Sequence, residues 1–174
     1  LTAASYDAVT TATCRNSGSW MSGQLRQNYY EGLGACKACI WFNNSTLRSA
    51  MSGRTVKSAS LRLRRVHGSG KASAVQVTAR GLTLTSASGL APNDTGNSVY
   101  GGVSAVLGKI ANDETVDFAL PVALVNALIS GSINGFALYA GETSASGNRA
   151  YSSNYCRLDG VGDQAAPVLT INYI

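Results

Sequence analysis

Charge is scarce in this chain. Asp, Glu, Lys and Arg make up only 13% of its 174 residues, about half the usual quarter. Surface hydration must therefore rest on Ser, Thr, Asn and Gly, a balance that suits extracellular and virion β proteins better than cytosolic enzymes. Histidine is reduced to His67, in a glycine-containing segment, and no Gly-x-Ser-x-Gly string occurs, so a nucleophile elbow is missing. Gly70-Lys71-Ala72 lacks the upstream glycine spacing and the hydroxyl of a phosphate loop. The nine acids are scattered. Asp159 and Asp163 flank two glycines and suit an acidic turn or a calcium loop, but the EF-hand spacing is absent. No apolar run approaches the ~20 residues needed to span a bilayer. The chain begins at Leu1 without a signal peptide, which reads as a removed leader or as a segment of a longer polypeptide.

The net charge is +5. Its densest local group is Arg62, Arg64 and Arg65. Arg62 and Arg64 share a strand face and read as a solvated stripe with acidic partners. A nucleic-acid footprint wants a denser patch with interleaved aromatics, so no nucleic-acid partner is expected.

What the chain does have is alternation. In Val56–Val66, Ala59, Leu61 and Leu63 alternate with Ser60, Arg62 and Arg64, the period of a half-buried strand. Val75, Val77 and Ala79 repeat the pattern after His67-Gly-Ser-Gly-Lys71, and the two runs read as a hairpin with a long loop. Ser5–Thr13, Gln24–Glu31, Ala38–Phe42, Val103–Ile110, Thr115–Leu120, Gly135–Ala140, Tyr155–Leu158 and Val168–Tyr173 read as further strands. Pro121 opens a short helix over Val122–Ile129 that ends before Gly131. Asn43–Met51 reads as a helical turn capped by Asn44 or Ser45. Ser86–Gly102 and Gly141–Ser153 are polar loops. Eight to ten strands with frequent turn signals predict a single all-β domain over residues 1–174. Its expected form is an antiparallel β-sandwich of the jelly-roll kind with one short helix.

Four cysteines, Cys14, Cys36, Cys39 and Cys156, predict two disulfides in an extracellular chain. Cys14 with Cys156 and Cys36 with Cys39 is the first pairing, with Cys14 to Cys36 or Cys39 close behind. A four-thiolate zinc site and reduced core thiols are the alternatives; only Cys36 and Cys39 are close in sequence, whereas zinc usually wants two close pairs.

Trp41, Phe42, Phe118 and Phe136 fall on apolar strands and read as core. Trp20, Tyr29, Tyr30, Tyr100, Tyr151 and Tyr155 lie in or beside polar segments. Exposed rings on β-sandwiches stack on sugars, because a ring offers an apolar face and a polar rim. Recognition sites concentrate on loops, and Pro92–Gly102 and Gly147–Arg157 mix Asn and Ser with Tyr. The candidate ligand-binding residues are therefore Tyr100, Arg149, Tyr151, Asn154, Tyr155 and Arg157, provided the two loops meet. The alternative is that Tyr151 and Tyr155 pack beneath the loop and hold it. Arg149 and Arg157 would suit an anionic glycan.

Val56-Lys-Ser-Ala-Ser-Leu-Arg-Leu resembles the central strand of jelly-roll modules of the DNRLRE kind. Ile40-Trp41-Phe42 and Leu47 occupy the places of the preceding strand and turn, and Val122–Ser130 with Gly135-Phe-Ala-Leu138 those of the closing helix and strand. Gly18-Ser-Trp20, Gln27 and Gly32 are similar to C-terminal modules of phage structural proteins from Gram-positive hosts. The DNRLRE string itself is absent, and the cysteines are not part of the pattern. The resemblance implies a non-catalytic, surface-displayed module without cofactors, in a virion or extracellular. Its expected partners are bacterial surface glycans or other virion proteins, with a homo-oligomer possible and no membrane insertion. The alternative is a carbohydrate-binding or spacer module of a secreted enzyme or cell-surface protein.

Overall fold

A computed structural model of the chain describes residues 1–16, 20–70, 73–89 and 103–174. Among the described residues strands account for 47% and helices for 12%, in two antiparallel sheets packed face to face. The smaller sheet has the order β1 (Thr2–Asp7), β12 (Val168–Tyr173), β6 (Val56–Arg64) and β9 (Thr115–Leu120). The larger runs β11 (Cys156–Leu158), β4 (Leu25–Tyr30), β5 (Gly34–Trp41), β10 (Gly135–Leu138), β7 (Val75–Leu82) and β8 (Ser104–Ile110). β2 (Thr10–Arg15) also pairs with β5, and the two-residue β3 (Met21–Ser22) pairs with β2.

The period-two pattern decides which side chains meet between the sheets. Leu61 and Leu63 of β6, Phe118 and Leu120 of β9, and Leu169 and Ile171 of β12 face Ile40, Val75, Val77, Phe136 and Leu138 of the larger sheet in one continuous core. β5 is different, because every residue after Gly34 is buried. Its other face contributes Cys39 and Trp41 to a second cluster with Ala12, Cys14, Leu82 and Ala137. A strand buried on both sides has no polar face to alternate, so it reads as a dense apolar run.

Two helices complete the core, where the sequence pattern had indicated one. α1 (Asn44–Met51) is a full helix rather than a single turn, and its N-cap is Asn43, whose side chain accepts from the Thr46 amide. α2 (Val122–Ser130) follows Pro121 and stops at Gly131, which takes the left-handed conformation at φ 86°. Arg48 of α1 donates to the Leu128 and Ile133 carbonyls at 2.9 and 3.0 Å, placing its cation at the C-terminal end of α2.

Three sequence expectations are corrected. Ser5–Thr13 is not one strand. The chain leaves β1 at Ala8 and Val9, whose amides bond to the carbonyls of Pro167, just before β12, and of Trp41, at the end of β5, and continues as β2. β6 and β7 do not form a hairpin: β6 pairs with β12 and β9 in one sheet, β7 with β10 and β8 in the other. The four cysteines form no disulfide, and all are buried. Cys36 and Cys39 lie three apart on one strand, on opposite faces and roughly 10 Å apart at 3.3 Å per residue, beyond disulfide reach. Cys14 lies in the outer cluster and Cys156 in the inter-sheet core, so the larger sheet stands between them.

Candidate functional site

The functional candidates converge where β4 meets β11. The register sets Leu25 opposite Leu158, Arg26 opposite Arg157, and Gln27 opposite Cys156. Leu25, Leu158 and Cys156 enter the core. Alternation then turns Arg26 and Arg157 outward together, side by side on one face. Both line a cavity of about 310 Å³ whose other walls are Tyr30, Tyr151, Tyr155 and the Gly68-Ser69-Gly70 loop.

Three tyrosines form a stack in this wall. The Tyr155 ring lies 5.2 Å from Tyr30 and 6.0 Å from Tyr151, at interplanar angles of 26° and 27°. Tyr155, in the middle, is only 3% exposed. Its hydroxyl accepts from Arg26 Nη1 at 3.2 Å. Burial pushes the Tyr155 phenol above its ordinary value, against the opposing pull of Arg26 and Arg157. The outer rings, Tyr30 and Tyr151, are half-buried and are β-bridge partners.

The opposite wall is held by a buried arginine. Arg65 continues the inward series of Leu61 and Leu63 and is fully buried. Its guanidinium donates to the carbonyls of Ser69, Ser73 and Ile110 at 2.6–3.2 Å, fixing the loop after β6. Ser69 Oγ donates to the Val66 carbonyl, and Val66 donates its amide to the Arg157 carbonyl. Gly70 packs directly against the Tyr155 backbone at φ 79°, leaving no room for a Cβ.

Of the six residues singled out from the sequence, Tyr151, Tyr155 and Arg157 line the cavity. Asn154 does not. Its side chain accepts from the Gln76 amide and donates to Glu142, while its carbonyl accepts from Gln27 and Asn28. Glu142 also accepts from Ser152 Oγ and the Asn154 amide, so this carboxylate organises the loop. Arg149 is exposed on the turn closed by its amide to Ser146 and is not in the cavity wall. Tyr100 and the Pro92–Gly102 segment lie outside the described residues. Sequence reasoning passed over Arg26, Tyr30 and Gly68–Gly70. Tyr30 had been noted as a ring beside a polar segment; nothing local connects Arg26 to Arg157.

Elsewhere, both arginines of the basic stripe have acidic partners, on a solvated face for Arg62 and in a largely buried pair with Asp159 for Arg64. Arg62 forms a two-pronged pair with Asp117, and Arg64 reaches Asp159 and Asp113. His67 contacts Asp113 at 2.6 Å and is largely exposed. Asp159 accepts from the Ala165 amide and Asp163 from that of Gly160, the bonds of an acidic turn. Among the described residues no group of three or more His, Cys, Asp or Glu could hold a metal ion, and no helix is long and apolar enough to cross a membrane. No protein-family model and no curated protein matches the chain.

Proposed function

We propose that this chain is a non-catalytic surface-adhesion module, a receptor-binding or structural domain of a phage virion or tail fibre. In this reading it recognises bacterial surface glycans through the tyrosine-lined cavity. The supporting observation is the Tyr30–Tyr155–Tyr151 stack beside two outward guanidiniums. The half-buried outer rings, Tyr30 and Tyr151, offer apolar surface to the C–H face of a pyranose, and their hydroxyls, with Arg26 and Arg157, offer polar contacts to its rim. The wall is rigid, because the middle ring is buried and the flanking loop is pinned by Arg65, so little ordering cost falls on binding.

The test is adsorption of the purified protein to host cells and to a glycan array, comparing wild type with Tyr151→Ala and Arg157→Ala. Loss of about tenfold or more in affinity is expected from each folded variant, the effect of losing roughly 1.4 kcal/mol. Folded variants that bind unchanged would place recognition elsewhere. Variants that both unfold would make the tyrosines a prop for the loop. The purified protein is also expected to leave glycans and peptides uncleaved. Turnover abolished by replacing a single carboxylate would overturn the non-catalytic reading.

A further inference from the structure

We infer that the Arg26–Arg157 pair is an oxyanion subsite, so that the glycan taken by the cavity carries a phosphate or carboxylate beside the ring that stacks on the tyrosines. This inference rests on the proposed glycan cavity and adds the class of its ligand. Arg26 and Arg157 are directly opposed across an antiparallel ladder. Like charges in that position repel and cost stability. On the neighbouring sheet Arg62 is instead opposed by an acid, Asp117, with which it pairs. Here no acid intervenes: among the described residues neither arginine forms an ion pair, and the cavity wall contains no carboxylate.

The donors are also under-used. Arg26 gives Nη1 to the Tyr155 hydroxyl, and its Nε is buried without a hydrogen-bond partner. Arg157 makes one long side-chain contact, 3.4 Å to Gln24 Oε1. A buried guanidinium donor without an acceptor is costly. One oxyanion between the two guanidinium groups would accept from their remaining Nη donors and cancel the repulsion, and the planar fork of arginine suits phosphate and carboxylate alike. A lysine pair would offer point charges without the bidentate fork, and a neutral sugar would leave the charges opposed.

The test is calorimetric titration of the whole chain at fixed ionic strength with inorganic phosphate, glucose 6-phosphate, glucuronate and glucose. The acidic sugars are expected to bind at least about tenfold tighter than glucose, as a charge-assisted hydrogen-bond pair implies. The two acids tell whether phosphate or carboxylate is preferred. Arg26→Gln and Arg157→Gln should each bring the ratio of acidic to neutral affinity close to one, and Arg26→Lys should restore part of it. Without ligand, both glutamine variants should melt no lower than wild type, because the repulsion is gone. Equal affinity for acidic and neutral sugars in the wild type would overturn the subsite and leave the tyrosine cavity standing. If no sugar binds, the glycan reading fails, and inorganic phosphate alone decides: saturable binding lost in both glutamine variants upholds the subsite, and its absence sinks it.

Discussion

At the residue scale, the cavity depends on side chains that do not touch its interior. Arg65 occupies an inward position of a strand that otherwise presents leucines, and it is tolerated there because its donors meet carbonyls of the crossing loop and of β8. Arg65→Leu would leave the Ser69, Ser73 and Ile110 carbonyls short of donors. Such a change should destabilise by about 1–3 kcal/mol, on the scale of a buried acceptor left unsatisfied, measured by urea unfolding. A neutral result would show that the loop holds itself. Gly70 makes a sharper case, since two penalties coincide there. A methyl group would run into the Tyr155 carbonyl, and the left-handed backbone disfavours any Cβ. Gly70→Ala should therefore shift both the melting temperature and the near-ultraviolet signal of the tyrosine stack, whereas Gly68→Ala, with open space around it, should shift neither beyond the backbone cost. Asn28 shows the same economy, holding a left-handed φ of 67° while its amide binds Ala140 and Asn154. Asparagine tolerates that conformation better than most residues.

At the scale of elements, alternation identified strands well and pairings poorly. The β6 pattern put Ala59, Leu61 and Leu63 inward, and all three are in the core. Leu61→Ala or Leu63→Ala should cost about 2–5 kcal/mol in denaturant unfolding, since each is fully buried among partners from both sheets. A neutral result for either would contradict the packing of β6 against the larger sheet. The same pattern continued to Val75–Leu82 suggested a hairpin, but the two strands lie in different sheets. Periodicity is indifferent to whether the next strand lies beside the last one or across from it. Helix α1 was underestimated for a related reason. Its buried face is only Leu47 and Met51, too few apolar positions to announce a helix, and its stability comes from docking on α2 through Arg48.

For the whole molecule, the thiols connect fold to solution behaviour. Burial pushes the Cys36 thiol up to about 11 and the Cys156 thiol up to about 12. In the unfolded chain each would ionise near its ordinary value of 9.0. The folded state thus keeps protons that the unfolded state gives up, and stability falls where the two differ. The contribution should be complete below pH 9 and should be lost between pH 9 and about 11 to 12. Urea midpoints measured from pH 7 to pH 11 check this; midpoints unchanged across pH 9–11 would mean that the thiols are not buried as described. Mass spectrometry without reductant should find four thiols, and a thiol reagent at pH 8 should react with them only on unfolding.

The sequence by itself determined the all-β class, the period-two strands, the α2 boundaries and the burial of Trp41, Phe42, Phe118 and Phe136. Each of these follows from local spacing and from the apolar area of the side chain concerned. It also carried enough chemistry to single out Tyr151, Tyr155 and Arg157, because rings and charge among Asn, Ser and Gly stand out within one segment. Tertiary structure decided what depends on distant residues. Strand parity, which puts side chains on opposite faces of the larger sheet, separated the cysteines that composition had paired. The fold set Arg157 against Arg26 and Tyr155 against Tyr30, and it turned Asn154 away to hold Glu142. Those outcomes depend on which strands become neighbours. That choice is fixed by the packing of whole faces between two sheets, and no single stretch of the chain contains it.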